Sequence, residues 1–530
     1  MSDLTEQTSG QSLDLPPTLR AERDGPPVPR RPWYRTIGPA YLTIFVWAPF
    51  FDSLWVRDLP RGGLPWLAGS AIVASIICYA FFYYPTAIWG YRTGRGLGVV
   101  AASTFGTVGS EWITGIGIGV AQLVWYAVAI DYGVDSTLRG LVTWGLVPAN
   151  ALGRWELGPL SLRGFLFLHT AAFWIFITGS ASLLRLVGII AALMRIYAPV
   201  ALLLLTASAL WVIPNLGGYA VENAVEVAGG SGLVDGGGRR YSILPLFTGF
   251  FALLGLMSVD WGAASLRRRD VTVGGLMGIV LAGSWTAIMA LLVVAGAVGT
   301  LGAADPDWTA TDAGPPLLSF RWGVLHGIGG YPAGGILILF GLAALAPACY
   351  STWLFSQRFA ARWSKIRRTY WTWIGGAIAL LLIATSWSSR LEAIDYVMGL
   401  VFAPALGALV GDFLSQRGGW AGVRPGVNPP GMIAWLAGLV IRSTGELMAS
   451  RTPWFAAEFL SSPIVGFVTA VLVYVMLARI GLGRTPILLR TVDDPDLQVG
   501  ATAAEVPAVS NVPVEPAGSE PLPSETCRDG

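Results

Sequence analysis

Residues Ile44 to Trp55 read IFVWAPFFDSLW. The run is apolar enough to lie in a bilayer, yet it holds Pro49 and the carboxylate of Asp52. Proline has no N–H to donate, and its ring collides with the carbonyl four residues back, so a regular helix cannot pass through it undisturbed. Unwound backbone at membrane depth survives only where it is buried in protein or lines a cavity. An intramembrane carboxylate marks a functional site by default. The plain alternative is that Asp52 lies near the outer end of its span and reaches water or Arg57. Both readings stay open at this point.

The surrounding chain supports a membrane setting. Of 530 residues, 54% are hydrophobic and 12% charged, with a mean hydropathy of +0.60, where soluble domains carry roughly a quarter charged residues. Apolar runs long enough to cross ~30 Å of hydrocarbon fall near 36–56, 66–90, 111–133, 163–181, 183–213, 243–262, 272–300, 334–357, 371–388, 391–414, 431–449 and 461–480. This predicts an all-α polytopic membrane protein of about twelve transmembrane helices, with a lipid bilayer as its partner. Threaded from a cytoplasmic N-terminus, the basic clusters at Arg30/Arg31/Arg35, Arg92/Arg95, Arg267–Arg269, Arg358–Arg368 and Arg479–Arg490 all fall inside. The positive-inside rule then places both termini in the cytoplasm and the protein in the cytoplasmic (inner) membrane. Residues 1–35 and 486–530 read as disordered cytoplasmic tails, the latter rich in Pro, Glu and Ser, and 36–485 as the transmembrane domain.

Other classes are disfavoured. A net charge of +2 gives no argument for nucleic acid. Three cysteines and two histidines form no disulfide framework, HExxH pattern or metal cluster, and no GxxxxGK[ST] loop for ATP occurs. No cofactor, metal or catalytic residue is implied, and an enzyme is not expected.

The sixth span, LPLFTGFFALLGLMSVDWGAASLRRRD, holds Gly249 and Gly255 and ends near Asp260, and it reads as a second broken helix. Interrupted first and sixth helices point to an inverted five-plus-five repeat with a site between the halves. Tight packing is the competing account of the glycines, as it is for GIGIGV at Gly115–Val120. Trp125 and Tyr126 lie deep in the third span, away from the interfacial belts where such residues collect, as a face for a planar ligand or as core. His169 and Arg195 are the remaining buried polar candidates, each with a structural alternative. Glu111 and Asp131 sit at span ends and are expected to be solvated.

Taken together, these segments resemble the nucleobase:cation symporter family from about Arg31 to Arg484. STFGTVGSEWITGIGIGVAQLVWYAVAIDYG is similar to the family's Ser-Phe-Gly opening and third span. VDWGAASLRRRDVTVGGLMG matches its sixth-to-seventh connection at Asp260, Arg268, Asp270 and Gly274. YVMGLVFAPALGALVGDFL carries its Pro404, Gly407 and Asp412 pattern. The resemblance implies a LeuT-type fold, five-plus-five inverted repeats and two further helices. It also implies a permease moving a nucleobase or related heterocycle, stacked between Trp125 and a sixth-span aromatic at Phe251.

Departures from the family pattern are specific. Ala129 stands where the family often has a base-binding Gln, and Ala343, Ala344 and Ala348 replace a Thr-Asn-x-x-x-Asn run. Substrate contacts are therefore assigned to Trp125, Phe251, Asp52 and Gln122, with Ala129 and Ala348 at altered positions and Ser351 as a further candidate. A proton at Asp52 is the expected coupling ion, rather than sodium, since the eighth-span hydroxyls are missing. A transporter of another small solute, such as an amino acid or amine, and a non-transporting sensor are the alternatives.

Overall fold

The computed structural model describes residues 28–55, 59–61, 63–157, 160–184, 187–227, 243–301, 317–449 and 462–487, with the isolated positions 16, 19 and 460. The chain divides at Thr491 into two units, and the described residues all belong to the first. Most of both expected tails lies outside them. The described part of the first tail is ordered: Arg31 forms a bridge with Ser265, and Ile487 pairs with Val423 near the other end.

All twelve expected spans are helical. The first is split into α1 (Ile37–Phe45) and α2 (Ala48–Asp52). The second is α3 (Leu64–Thr93). A connector helix, α4 (Leu97–Ser110), leads through a wide turn at Glu111–Gly117 into α5 (Ile118–Thr143), the third. A hairpin of β1 (Arg154–Leu157) and β2 (Leu160–Arg163) precedes α6 (Phe165–Leu183) and α7 (Val187–Val212). The second half runs α8 (Leu244–Ala263), α9 (Arg268–Thr300), connector helix α10 (Phe320–Gly327), α11 (Gly330–Ala343) with α12 (Leu345–Arg362), α13 (Arg368–Ala384) and α14 (Leu391–Ser415). The last two spans are α15 (Pro429–Ala449) and α16 (Pro463–Arg479). Among the described residues, eight helices are long and apolar enough to cross a membrane on their own, and the protein is an integral membrane protein.

The break in span one follows from Pro49. In a continuous helix its nitrogen would meet the carbonyl of Phe45; instead the chain leaves helical geometry at Val46–Trp47 and restarts with Pro49 in the first turn of α2, a position where proline's missing donor costs nothing. The sixth span does not repeat this. It is one uninterrupted helix, which corrects the expectation of a second break. Its glycines serve packing: a Cβ on Gly249 would stand 2.9 Å from the Asp395 carbonyl, and one on Gly255 equally close to that of Phe82. Gly262 and Gly90 interlock α8 with α3, backbone against backbone at Ala87 and Val259.

Repeat symmetry shows in the connectors. In each half a connector helix, α4 or α10, precedes a long span, and a glycine of positive φ bends the chain, within α4 in the first half and just after α10 in the second. The glycines are Gly106 (φ 79°) and the pair Gly329 (φ 68°) and Gly330 (φ 57°). Spans two and seven each carry a wide turn, Cys78–Tyr83 and Leu276–Leu281, and the two helices meet where Gly275 lies against the rings of Tyr79 and Tyr83. Connectors fall on two faces. One carries residues 30–36, 94–97, 264–267, 417–428 and 482–487, cross-linked for example by Arg92 Nη1 to the Gly418 carbonyl at 2.7 Å and Arg31 N to that of Ala264 at 2.9 Å. This is the terminal face; α10 and the hairpin lie on the opposite one.

Candidate functional site

A cavity of about 370 Å³ lies where the first span breaks. One wall is α1 and the break, through Pro39, Ala40, Thr43, Ile44 and Trp47. The second is α5, through Gln122 and Trp125. A third is one face of α8, Phe250, Leu253, Leu254, Met257 and Trp261, and α12 closes it with Pro347, Tyr350 and Ser351. Arg31 and Arg35, exposed on the terminal face, form its mouth. No carboxylate among the described residues lines it.

The inner end is aromatic. Trp125 meets both Trp47 and Phe250 edge to face, each at 5.4 Å between ring centres, and Phe50 seals behind them at 4.8 Å from Phe250 and 5.2 Å from Phe247. Two donors here are poorly used. The buried indole N–H of Trp47 has no hydrogen-bond partner, and the Gln122 amide reaches only the Met257 sulfur, at 3.8 Å. A buried donor left unpaired costs its desolvation energy, so a ligand bearing an acceptor would recover it.

The structure brings Trp125, Gln122 and Ser351 together on the cavity lining. Phe251 is not on the wall: it is fully buried and stacks on Tyr41 and Phe45, with ring centres 5.7 and 6.2 Å away. Its neighbour Phe250 takes the place, because positions 250, 254, 257 and 261 share one face of a helix with 3.6 residues per turn and 251 lies about 100° round. Because Trp125 and Phe250 touch, they form a floor with Trp47 rather than two facing walls. Ala129 and Ala348 are fully buried behind the lining. Tyr126 points away and its hydroxyl meets that of Thr178 at 2.8 Å. Trp47 escaped the sequence reading although it sits two residues before Pro49; the helix break that Pro49 imposes was the available signal.

Asp52 lies beyond the aromatic floor, 1% exposed, and does not line the cavity. Its carboxylate accepts from Arg321 Nη2 at 2.8 Å, Nε at 3.1 Å and the Arg321 backbone N–H at 3.0 Å. Arg57 lies outside the described residues. Asp131, expected to be solvated, is buried and accepts from Arg163 and Ser388, each at 3.0 Å. The reason is that α5 continues to Thr143, so Asp131 is mid-helix. Glu111 is likewise buried, beside Arg362 at 3.4 Å. His169 is exposed, its ring bonded to the Phe165 carbonyl at 2.9 Å, and the side chain of Arg195 lies outside the described residues.

The remaining acids of the sequence pattern are staples on the terminal face. Asp260 accepts from the Leu97 N–H at 2.7 Å, at the first turn of α4, where the helix dipole favours an anion. Asp270 holds Trp33 N at 3.1 Å, and Asp412 takes hydroxyls from Ser103 at 2.6 Å and Thr104 at 3.0 Å.

By sequence the chain matches no protein family and no curated protein. By structure it is similar to MHP1, a nucleobase-cation-symport-1 family transporter, in a closed conformation with bromovinylhydantoin bound. The two are 13% identical, over 86% of this chain and 95% of that one, with a TM-score of 0.54. The inward-facing conformation of Mhp1 gives 12% identity, 86% and 94% coverage, and 0.53. Together with the connector symmetry, this establishes the fold: a LeuT-type five-plus-five inverted repeat with two further helices.

Proposed function

We propose that this protein is a secondary transporter of the nucleobase:cation symporter type. It moves a nucleobase or related flat nitrogenous heterocycle by alternating access. The observation that carries the reading is the cavity at the break of the first span, lined to the terminal face and closed by aromatic rings toward the opposite one. A flat ring would lie on the floor made by Trp47, Trp125 and Phe250, its carbonyl groups accepting from the Trp47 indole and the Gln122 amide. A hydantoin bound to MHP1, which has this fold, supports the ligand class. With no acid in the described lining, an organic ammonium would go uncompensated, which disfavours an amine as substrate.

The arginine-rich connectors support a cytoplasmic terminal face and a cytoplasmic-membrane location; on that reading the form described is open inward. Coupling is to a proton. Sodium sites in such folds draw on helix-break carbonyls with side-chain oxygens, and Ala343, Ala344 and Ala348 supply none. Asp52 is the proton carrier, available only when Arg321 has moved away from it.

The test is solute counterflow in proteoliposomes carrying purified protein, with a panel of labelled purines, pyrimidines, hydantoins and amines. A heterocycle exchanged against itself, and amines not exchanged, would support the reading. Exchange of amines alone would overturn it.

A further inference from the structure

We infer that Arg321 holds the opposite-face entrance shut, and that solute can enter from that face only after Arg321 parts from Asp52 and Asp135. The inference rests on the alternating-access reading above.

Among the described residues, a network of six buried charges lies between the aromatic floor and the opposite face: Asp52, Asp131, Asp135, Arg139, Arg163 and Arg321, each at most 8% exposed. They form one chain. Arg321 pairs with Asp52 at 2.8 Å and with Asp135; Asp135 also pairs with Arg139 at 2.6 Å and lies 3.7 Å from Arg163, and Arg163 reaches Asp131 at 3.0 Å. Three carboxylates and three guanidiniums balance to zero.

The division of this chain among elements is what makes it a latch. Asp131, Asp135 and Arg139 belong to α5, and Arg163 ends the hairpin that leads into α6. Asp52 alone comes from α2, and Arg321 alone from α10. One side chain therefore ties three segments, and α2 starts at Ala48, next to Trp47 on the cavity floor. Apolar contacts seat the same joint: Phe51 meets Phe320 at 4.9 Å and Phe340 at 5.9 Å, and the Arg321 guanidinium lies 4.6 Å from the centre of the Tyr132 ring.

A balanced buried network is stable dry, whereas parting it leaves Asp52 and Arg321 as uncompensated charges that need water. The joint accordingly has two discrete states, closed and dry or open and wet, as a packed switching element requires. A route to the cavity from the opposite face must pass this joint, since Trp47 and Asp52 end the same short segment.

Thr43→Cys, placed on the cavity wall with Cys78, Cys349 and Cys527 changed to Ala, reports access in vesicles of known sidedness. A membrane-impermeant maleimide is added to one face at a time. Opposite-face labelling is expected to be slow in this parent and at least about tenfold faster in Arg321→Gln, while Arg321→Lys, which keeps the charge, stays near the parent. Parent-rate labelling in Arg321→Gln would overturn the inference, as would equally fast labelling in Arg321→Lys. If Arg321→Gln does not accumulate, Asp52→Asn serves instead, and unchanged opposite-face labelling there also overturns it. The transport reading fails separately: a solute that shifts labelling in the parent upholds alternating access even if Arg321 proves inert.

Discussion

Arg321 and Asp52 lie 269 positions apart in sequence and share four hydrogen bonds, three from the guanidinium and one from the backbone N–H at the first turn of α10. Removing one partner of a buried ion pair strands the other and costs about 3–5 kcal/mol. Arg321→Gln and Asp52→Asn are each expected to lower the melting temperature in detergent. The double variant should be less destabilised than the sum, because neighbours in one network are not additive. Additive losses would mean the two residues do not act as a pair.

Trp125 and Phe250 are expected to carry ligand binding, and Phe251 the core. Stacking on an aromatic side chain contributes about 1–3 kcal/mol per base, so Trp125→Ala or Phe250→Ala should weaken heterocycle binding about five- to 150-fold, with cooperative melting retained. Phe251→Ala removes a fully buried ring and should cost about 3–5 kcal/mol of stability. Isothermal calorimetry and thermal melts on the same three preparations separate these effects.

The indole of Trp47 supplies the unpaired donor at the cavity end. Trp47→Phe keeps an aromatic ring and removes the N–H. Loss of one hydrogen bond of about 0.5–1.5 kcal/mol should weaken carbonyl-bearing heterocycles by up to about tenfold, while ring analogues lacking that acceptor bind unchanged. Equal loss for both would assign Trp47 a packing role only.

Much of this fold was legible from hydropathy alone, because crossing a bilayer demands long apolar helices and all twelve runs became helices. Pro49 located the first break for a local reason, the missing donor. The sixth span misled because glycine carries two meanings, and only the neighbouring backbone of Asp395 and Phe82 tells packing from unwinding. For Trp125, depth in the span left core packing open, and it was the family resemblance that pointed to the wall on which it lies. Phe250 was not legible, since a shift of one residue turns a helix face by about 100°. The pairing of Asp52 with Arg321 is a contact between distant segments, with no local pattern to reveal it.

Gly262 and Gly90 join α8 to α3 with no room for a methyl group. Gly262→Ala would press its Cβ into the Ala87 backbone, and overpacking of this kind costs about 1–3 kcal/mol. Its melting temperature is expected to fall, whereas Gly69→Ala, which has open space around it, should melt like the parent.

The most direct test of the cavity as a heterocycle site is a thermal-shift titration of purified protein and its Trp125→Ala variant against purines, pyrimidines, hydantoins and allantoin. Stabilisation by at least one heterocycle in the parent, lost in Trp125→Ala, is the expected result. A cooperatively melting parent that no heterocycle stabilises, or a shift of equal size in Trp125→Ala, would contradict it.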